Sequence, residues 1–185
     1  EQAIDAGRME FYPNQYILLR DRENHSHSAL GRYIRENNNI IPIKKMKEGI
    51  WGIVSRNMEQ AFTLDALLDP KIKLVTLVGK AGTGKTLLAI AAGLHSTMEY
   101  EAYTRMLVSR PVFPMGKDIG YLPGDIEDKL KPWMQPIFDN MDLLISSHDS
   151  KKKKSKDYHE FLEMGIVDIE PLTYIRGRSI PNQYI

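Results

Sequence analysis

The chain has 185 residues and no cysteine, and 25 Lys and Arg residues against 24 Asp and Glu residues give it a net charge of +1. Hydrophobic residues make up 42% of the sequence, which is enough for a packed core and excludes a wholly disordered chain. The charge balance gives no support to a globally basic nucleic-acid binder, although local basic patches remain compatible with it. Without cysteine, disulfide frameworks, thiol nucleophiles and cysteine-ligated zinc are excluded.

The sequence predicts no membrane anchor. No window approaches about 18 uninterrupted apolar residues, and the first residues lack the basic start and the apolar run of a signal peptide. The absence of cysteine is compatible with a reducing compartment. We therefore expect a cytoplasmic protein, of a length that fits one domain with a small appendage.

Residues 1–50 have the pattern of a small β-rich element. Strands are predicted at Tyr16–Leu19 and Ile40–Ile43, and Ala29–Arg35 fits either a short helix or a strand. Between them His25 and His27 lie in a polar stretch. Because no third metal ligand is near, an exposed loop is favoured over a metal site.

From residue 51 onward, helical and strand patterns alternate, which is typical of an α/β fold. A helical pattern begins near Asn57 and ends before Pro70. The β-branched run Lys73–Val78 predicts a strand buried on both faces of a parallel sheet. The Leu- and Ala-rich stretch Lys85–Thr97 predicts a helix, and Met106–Ser109 a second buried strand.

The second half of the chain begins with a long loop, Pro111–Gly124, of the kind that usually carries function. The helical pattern that follows has one apolar face up to Ile145, and Pro132 and Pro136 are expected to kink or split it. The lysine run 151–156 is read as a solvated loop, with a nucleic-acid contact as the alternative. Further strands are predicted at 166–169 and 183–185.

A phosphate-binding loop is the strongest signal in the sequence. Residues 79–86 match G-x-x-x-x-G-K-[ST] in full and lie between a predicted strand and a predicted helix. Glycines let successive N–H groups curl around a phosphate, and the helix N-terminus adds positive charge. The lysine would contact the β- and γ-phosphates as the catalytic group, and the threonine hydroxyl would ligate Mg²⁺. A glycine-rich turn without a ligand is the alternative reading. The eight residues are Gly79, Lys80, Ala81, Gly82, Thr83, Gly84, Lys85 and Thr86.

Asn57 and Gln60 open the helix that precedes this loop. An Asn-x-x-Gln at this place resembles the adenine-reading element of superfamily 1 helicases. The chemistry fits, because a carboxamide both donates and accepts and can pair with the N6 amino group and N7 of adenine. A helix cap formed by Asn57 is the simpler interpretation, and the two are compatible.

A P-loop ATPase also needs an acid at the end of a neighbouring strand, to hold Mg²⁺ and orient water. Asp168 follows a short apolar run and is a weak candidate. The strand that begins at Tyr184 is the better place, and we expect the acid just beyond Ile185.

Taken together, these motifs resemble the PhoH-like ATPases, in particular the ATPase half of bacterial PIN–PhoH fusion proteins. The resemblance covers roughly residues 50–185. Its most specific parts are the Leu-Pro-Gly-Asp and Arg-Gly-Arg segments. The segments that carry it are Trp51-Gly52-Ile53, Asn57 to Gln60, Leu77 to Thr86, Ser109-Arg110-Pro111, Gly116 to Asp125, Lys129 and Pro171 to Arg178.

The resemblance implies a P-loop NTPase fold of RecA or superfamily 1 helicase type, with residues 1–50 as a connector and 51–185 as the NTPase domain. In that family the next strand ends in Asp-Glu-Ala-Gln, the Walker B acids. We therefore expect these acids beyond Ile185 and expect the present stretch by itself to be inactive. The resemblance further implies that the intact protein hydrolyses ATP with Mg²⁺, coupled to RNA unwinding or degradation. It also implies a PIN nuclease domain in the same polypeptide and a homo-oligomeric ring.

Three arginines are predicted near strand ends, where open α/β sheets bind ligands. Arg110, Arg176 and Arg178 would contact phosphates, either of RNA or of a nucleotide on a neighbouring subunit. Ion pairs with acids of the 118–128 segment are an equal alternative. For the whole chain, a non-catalytic nucleotide-sensing module and a small-molecule kinase are the alternative functions, and Ser109-Arg110 lacks the acid a kinase needs.

Overall fold

The computed structural model describes residues 3–24, 26–43, 46, 48–111, 126–148 and 157–185, with residues 126–131 described by backbone alone. Within these ranges, no helix has both the length and the apolar character needed to cross a bilayer. The expectations for most of the 111–124 loop, for the lysine run and for His25 fall outside the described residues.

The N-terminal part forms a four-stranded antiparallel sheet. Its strands are β1 (Ile4–Asp5), β2 (Tyr16–Arg20), β3 (Ser28–Ile34) and β4 (Asn39–Pro42), in the order β1-β4-β3-β2. The strands predicted near 16–19 and 40–43 are confirmed, and the ambiguous stretch after residue 28 is a strand. One face covers a small apolar cluster, and the other faces the rest of the molecule through Tyr16 on β2.

A second sheet is parallel and has three described strands. They are β5 (Arg105–Arg110), β6 (Val167–Pro171) and β7 (Gln183–Tyr184), in the order β6-β5-β7. Burial raises the pKa of Tyr184 to about 12. Since parallel strands point the same way, their carboxyl ends share one edge of the sheet, the edge at which ligands of such sheets bind.

The described residues form five α-helices: α1 (Met58–Leu68), α2 (Lys85–Leu94), α3 (Ile126–His148), α4 (Tyr158–Glu163) and α5 (Leu172–Ile175). A π-helical turn, His95–Glu99, continues α2. Gly93 lets α2 approach the sheet closely, because a Cβ there would collide with the Met106 sulfur and the Tyr184 ring.

Helix α3 runs unbroken through both of its prolines, so of the predicted kink or split, the split is wrong. Its predicted apolar face is confirmed, because Met134, Ile137, Met141, Leu144 and Ile145 are all buried. Each internal proline costs about 3 kcal/mol. Each buried side chain contributes about 1.5–3 kcal/mol, so five of them outweigh two prolines.

The predicted strand Lys73–Val78 is the main correction to the fold. This stretch forms no strand in the structure, and Leu74 is 85% and Val78 90% exposed. Within the described part of the chain, no strand supplies hydrogen-bond partners to it. A β-branched run favours extended backbone, but a strand also needs a neighbour to pair with.

A buried polar cluster joins the N-terminal sheet to α1. The Tyr16 hydroxyl donates to Asp65 Oδ2 at 3.0 Å, the Arg32 Nε lies 3.4 Å from the same oxygen, and Arg32 Nη2 donates to Asp69. The ring of Tyr16 stacks on Phe62 of α1, with centroids 4.7 Å apart.

The surroundings shift the pKa values of the two carboxyl groups of this cluster in opposite directions. Burial raises the pKa of Asp65, and Arg32 only partly offsets that effect. Burial also acts to raise the pKa of Asp69, but hydrogen bonds from the Lys71 amide and from Arg32 outweigh it, and the pKa is lowered. Asp69 accepts hydrogen bonds from Arg32 and from the Lys71 amide, whereas Asp65 accepts one from the Tyr16 hydroxyl.

Candidate nucleotide-binding site

The predicted phosphate-binding loop leads directly into α2. Gly84 is the N-cap residue of the helix, with a φ of +86°, and Gly82 has a φ of +75°. These left-handed conformations are strained for other residues, which explains the glycines at these places in the loop. Among the described residues, the first turn of α2 contains no acid, so the positive end of the helix dipole stays uncompensated.

The Lys85 side chain folds back over the loop. Its ammonium nitrogen donates to Gly79 O at 2.9 Å, to Lys80 O at 2.7 Å and to Thr83 Oγ1 at 3.3 Å. All three N–H donors of the ammonium group are thus directed at the loop, and none of these acceptors is charged. The ammonium group thus lies against the loop backbone, and its contact with a phosphate stays a prediction.

The other loop residues have open surroundings. Residues 79–83 and Thr86 are exposed, and the Thr86 hydroxyl has no hydrogen-bond partner among the described residues. The Thr83 hydroxyl donates to Lys80 O at 2.9 Å and closes the turn. The role of Thr86 as a Mg²⁺ ligand stays a prediction.

The predicted pair Asn57 and Gln60 forms the start of α1. Asn57 Oδ1 accepts from the Gln60 N–H at 2.8 Å, so Asn57 is the N-cap residue. Gln60 Oε1 accepts from the Arg56 N–H at 2.8 Å, and Gln60 Nε2 donates to Thr83 O at 3.3 Å. Gln60 therefore ties the first turn of α1 to the phosphate-binding loop.

This link between α1 and the loop is a feature that the sequence does not reveal. The resemblance to an adenine-reading element suggests a role for Gln60, but nothing local marks Thr83 O as its acceptor. In the structure both ends of the Gln60 carboxamide bind backbone groups. Adenine reading thus stays a prediction, in which the base would take over one of these two bonds.

The three predicted arginines are divided between free and paired states. Arg110 ends β5, and its Nη1 donates to Trp133 O at 3.0 Å. Arg178 forms an ion pair with Glu170. Its partner lies on β6, whereas the predicted alternative was an acid of the 118–128 segment. Arg176 is exposed and has no partner in the described part of the chain. Asp168 is paired with Arg105 at 2.7 Å.

Comparison with known protein families shows which family the chain belongs to. The profile of the family described as "PhoH-like protein" matches residues 52–185, which is most of the chain and includes the loop, α1 and the parallel sheet. The chain belongs to the PhoH-like family. PhoH domains form a P-loop NTPase family, so an α/β fold with nucleotide binding at the loop is the property shared by its members.

Curated PhoH-like relatives extend well beyond the matched region. "Protein PhoH2" of Bacillus subtilis (strain 168) is 48% identical over 182 residues, which is 98% of this chain and 40% of the relative. "Protein PhoH2" of Thermobispora bispora is 35% identical over 159 residues, 85% of this chain and 34% of the relative. A "PhoH-like protein" of Bacillus subtilis is 34% identical over 113 residues, which is 60% of this chain and 32% of the relative. The chain thus spans less than half of the length of these relatives.

Proposed function

We propose that this chain is the ATP-binding module of a cytoplasmic PhoH-like ATPase that, in the intact protein, hydrolyses ATP in a reaction coupled to RNA unwinding or degradation. The observation that carries the proposal is the loop itself, with Lys85 above its backbone and Gln60 joining it to α1. The PhoH-like assignment supports a nucleotide as the ligand.

The residues of the loop fit ATP and Mg²⁺. Backbone N–H groups of residues 79–84 and the N-terminus of α2 would bind the phosphates, and Lys85 would contribute the charge. Thr86 would be a Mg²⁺ ligand, since its hydroxyl is exposed. Bound Mg²⁺ supplies charge stabilisation at the phosphate oxygens.

The coupling to RNA rests on the family resemblance and on two arginines. Arg110 lies at the carboxyl end of β5, and Arg176 is exposed on the segment that follows β6. Guanidinium groups at this edge of a parallel sheet suit phosphate oxygens. Arg178 is less available, because it pairs with Glu170. The PIN nuclease half and the oligomeric ring are parts of the proposal that rest on the resemblance alone.

The same proposal includes the domain arrangement. Residues 1–50 would form a separate small module and residues 51–185 the NTPase domain, in the variant typical of RecA and superfamily 1 helicases. The N-terminal strands pair only among themselves within the described residues, which supports the division.

A non-catalytic, nucleotide-sensing module is the second candidate. It is favoured by the ion pair of Asp168 with Arg105, because Asp168 is the weak hydrolytic candidate named from the sequence. ATP turnover by the intact protein, measured with and without single-stranded RNA, separates the two: a sensor binds ATP without turning it over.

Gln60→Ala is expected to reduce the preference for ATP over GTP, by about tenfold if one base hydrogen bond is lost. The change also removes the bond to Thr83 O, so some loss of affinity for both nucleotides is expected. Competition titrations with ATP and GTP measure the ratio. Gln135→Ala on α3, where the side chain bonds only Asp139 among the described residues, is the matched control. An unchanged ratio in Gln60→Ala would remove Gln60 from base recognition.

A further inference from the structure

The short helix α5 lies at the carboxyl edge of the parallel sheet. It follows β6 directly, and the last residue of β6, Pro171, is paired in register with Arg110 at the end of β5. Neighbouring strands are about 4.8 Å apart, so the backbone of Arg110 is close to the start of α5. Three of the four residues of α5 are exposed, and only Ile175 is half-buried. The helix thus offers side chains to solvent at the edge where parallel sheets bind ligands.

The chain forms a tight turn directly after α5. The Arg178 N–H donates to Ile175 O at 3.2 Å, and φ is −63° at Arg176 and +76° at Gly177. These values are those of a type II turn, whose third residue needs a positive φ and is therefore usually glycine. A Cβ at Gly177 would meet no other described residue within 4 Å, so this glycine serves the backbone conformation and not close packing. The turn leaves Arg176 exposed at its corner.

Positive charge is in excess around α5. Between β6 and β7 the chain carries two arginines and no acid. Arg178 is neutralised by Glu170, whereas Arg176 is exposed and Arg110 donates to a neutral group, the carbonyl of Trp133. Two guanidinium groups beyond the ends of neighbouring strands therefore have no acidic partner among the described residues. Such groups favour a ligand with several negative charges.

Tyr174 adds an exposed aromatic ring next to these charges. Its side chain is 51% exposed, makes no ring contact within the described ranges and lies two residues before Arg176. The described tyrosines other than Tyr174 and Tyr12 each contact another ring. An exposed ring with cationic neighbours is the combination with which proteins bind single-stranded nucleic acid, because the ring stacks on a base and the cations bind phosphates.

We propose that α5 and the turn after it bind single-stranded RNA, with a base stacked on Tyr174 and backbone phosphates on Arg176 and Arg110. The inference rests on the proposed function, in which RNA is the partner, and adds the base contact and its place. Every base has a flat face, so stacking on one tyrosine gives affinity with little dependence on sequence. A single strand is required, since only unstacked bases can reach an aromatic side chain.

The test measures how the intact protein binds two labelled strands, by fluorescence anisotropy at several salt concentrations. One strand is an oligouridylate, chosen to avoid adenine binding at the phosphate-binding loop, and the other is an abasic ribose-phosphate strand of the same length. Tyr174→Ala is expected to weaken oligouridylate binding about tenfold and to leave binding of the abasic strand unchanged. Tyr174→Phe keeps the ring and is expected to bind both strands as the unsubstituted protein does.

Arg176→Ala is expected to weaken binding of both strands. It should also reduce the slope of log affinity against log salt concentration by about 0.7, the value for one phosphate contact on a single strand. Tyr174→Ala leaves this slope unchanged, because stacking on a neutral ring releases no counterions. Tyr12→Ala and Arg20→Ala are the matched controls, since both residues are exposed and belong to the N-terminal part of the chain.

Three results would overturn the proposal. The first is equal binding of oligouridylate by Tyr174→Ala and the unsubstituted protein. The second is an equal loss for the two strands in Tyr174→Ala, which would mean that no base contacts the ring. In both cases a rise of ATP turnover with RNA would leave the proposed function intact. The third is the absence of oligouridylate binding by the unsubstituted protein, which would overturn this site and the RNA coupling together.

Discussion

Lys85→Ala in the intact protein is expected to lower ATP affinity and turnover by about 100-fold or more. The ammonium group is the full positive charge directed at the loop backbone, at 2.9 Å from Gly79 O and 2.7 Å from Lys80 O. Without it, the phosphates would be bound by N–H groups and the helix dipole alone, and charged hydrogen bonds are the strong ones. Calorimetric titration with ATP, together with a phosphate-release assay, measures both effects.

Lys71→Ala is the control for this experiment. Lys71 is exposed, carries the same charge and lies outside the loop, so its loss tests for a general charge effect. Full ATP binding by Lys85→Ala would contradict the assignment of this loop as the phosphate site. Equal losses in both variants would indicate a non-specific electrostatic effect instead.

Leu144→Ala is expected to destabilise the protein by about 2–5 kcal/mol. Leu144 is fully buried on the inner face of α3, and its removal leaves a cavity in the main core next to the parallel sheet. Urea unfolding followed by circular dichroism measures the change in the free energy of unfolding.

The chain provides a close control, because Leu143 precedes Leu144 on the same helix and is 51% exposed. Leu143→Ala makes the same chemical change at the surface, and we expect an effect within about 0.5 kcal/mol. Equal effects of the two substitutions would mean that the buried face of α3 is assigned wrongly.

Elements defined by a local pattern could be predicted from the sequence. The apolar spacing along α3 identified its buried face, and the loop motif identified the start of α2. The segment Pro-Asn-Gln-Tyr-Ile occurs at 13–17 and at 181–185, and both copies have the asparagine in a left-handed conformation just before a strand, with φ of 60° at Asn14 and 53° at Asn182. In both places the short sequence itself favours the turn.

Features that depend on a distant partner could not be predicted. Lys73–Val78 has the composition of a buried strand, yet pairing depends on a neighbour that composition does not specify. The cluster of Arg32, Asp65 and Asp69 joins residues more than thirty positions apart, and no spacing rule connects them. The prolines of α3 predict a break on local sequence alone, because the burial that offsets their cost depends on the tertiary structure.

ATP turnover by the intact protein, measured with and without single-stranded RNA, decides whether this PhoH-like domain is part of an RNA-coupled ATPase. We expect turnover that depends on Mg²⁺, rises when RNA is added and disappears in Lys85→Ala. ATP binding without turnover, in the presence and absence of RNA, would contradict it and would establish the nucleotide-sensing module in its place.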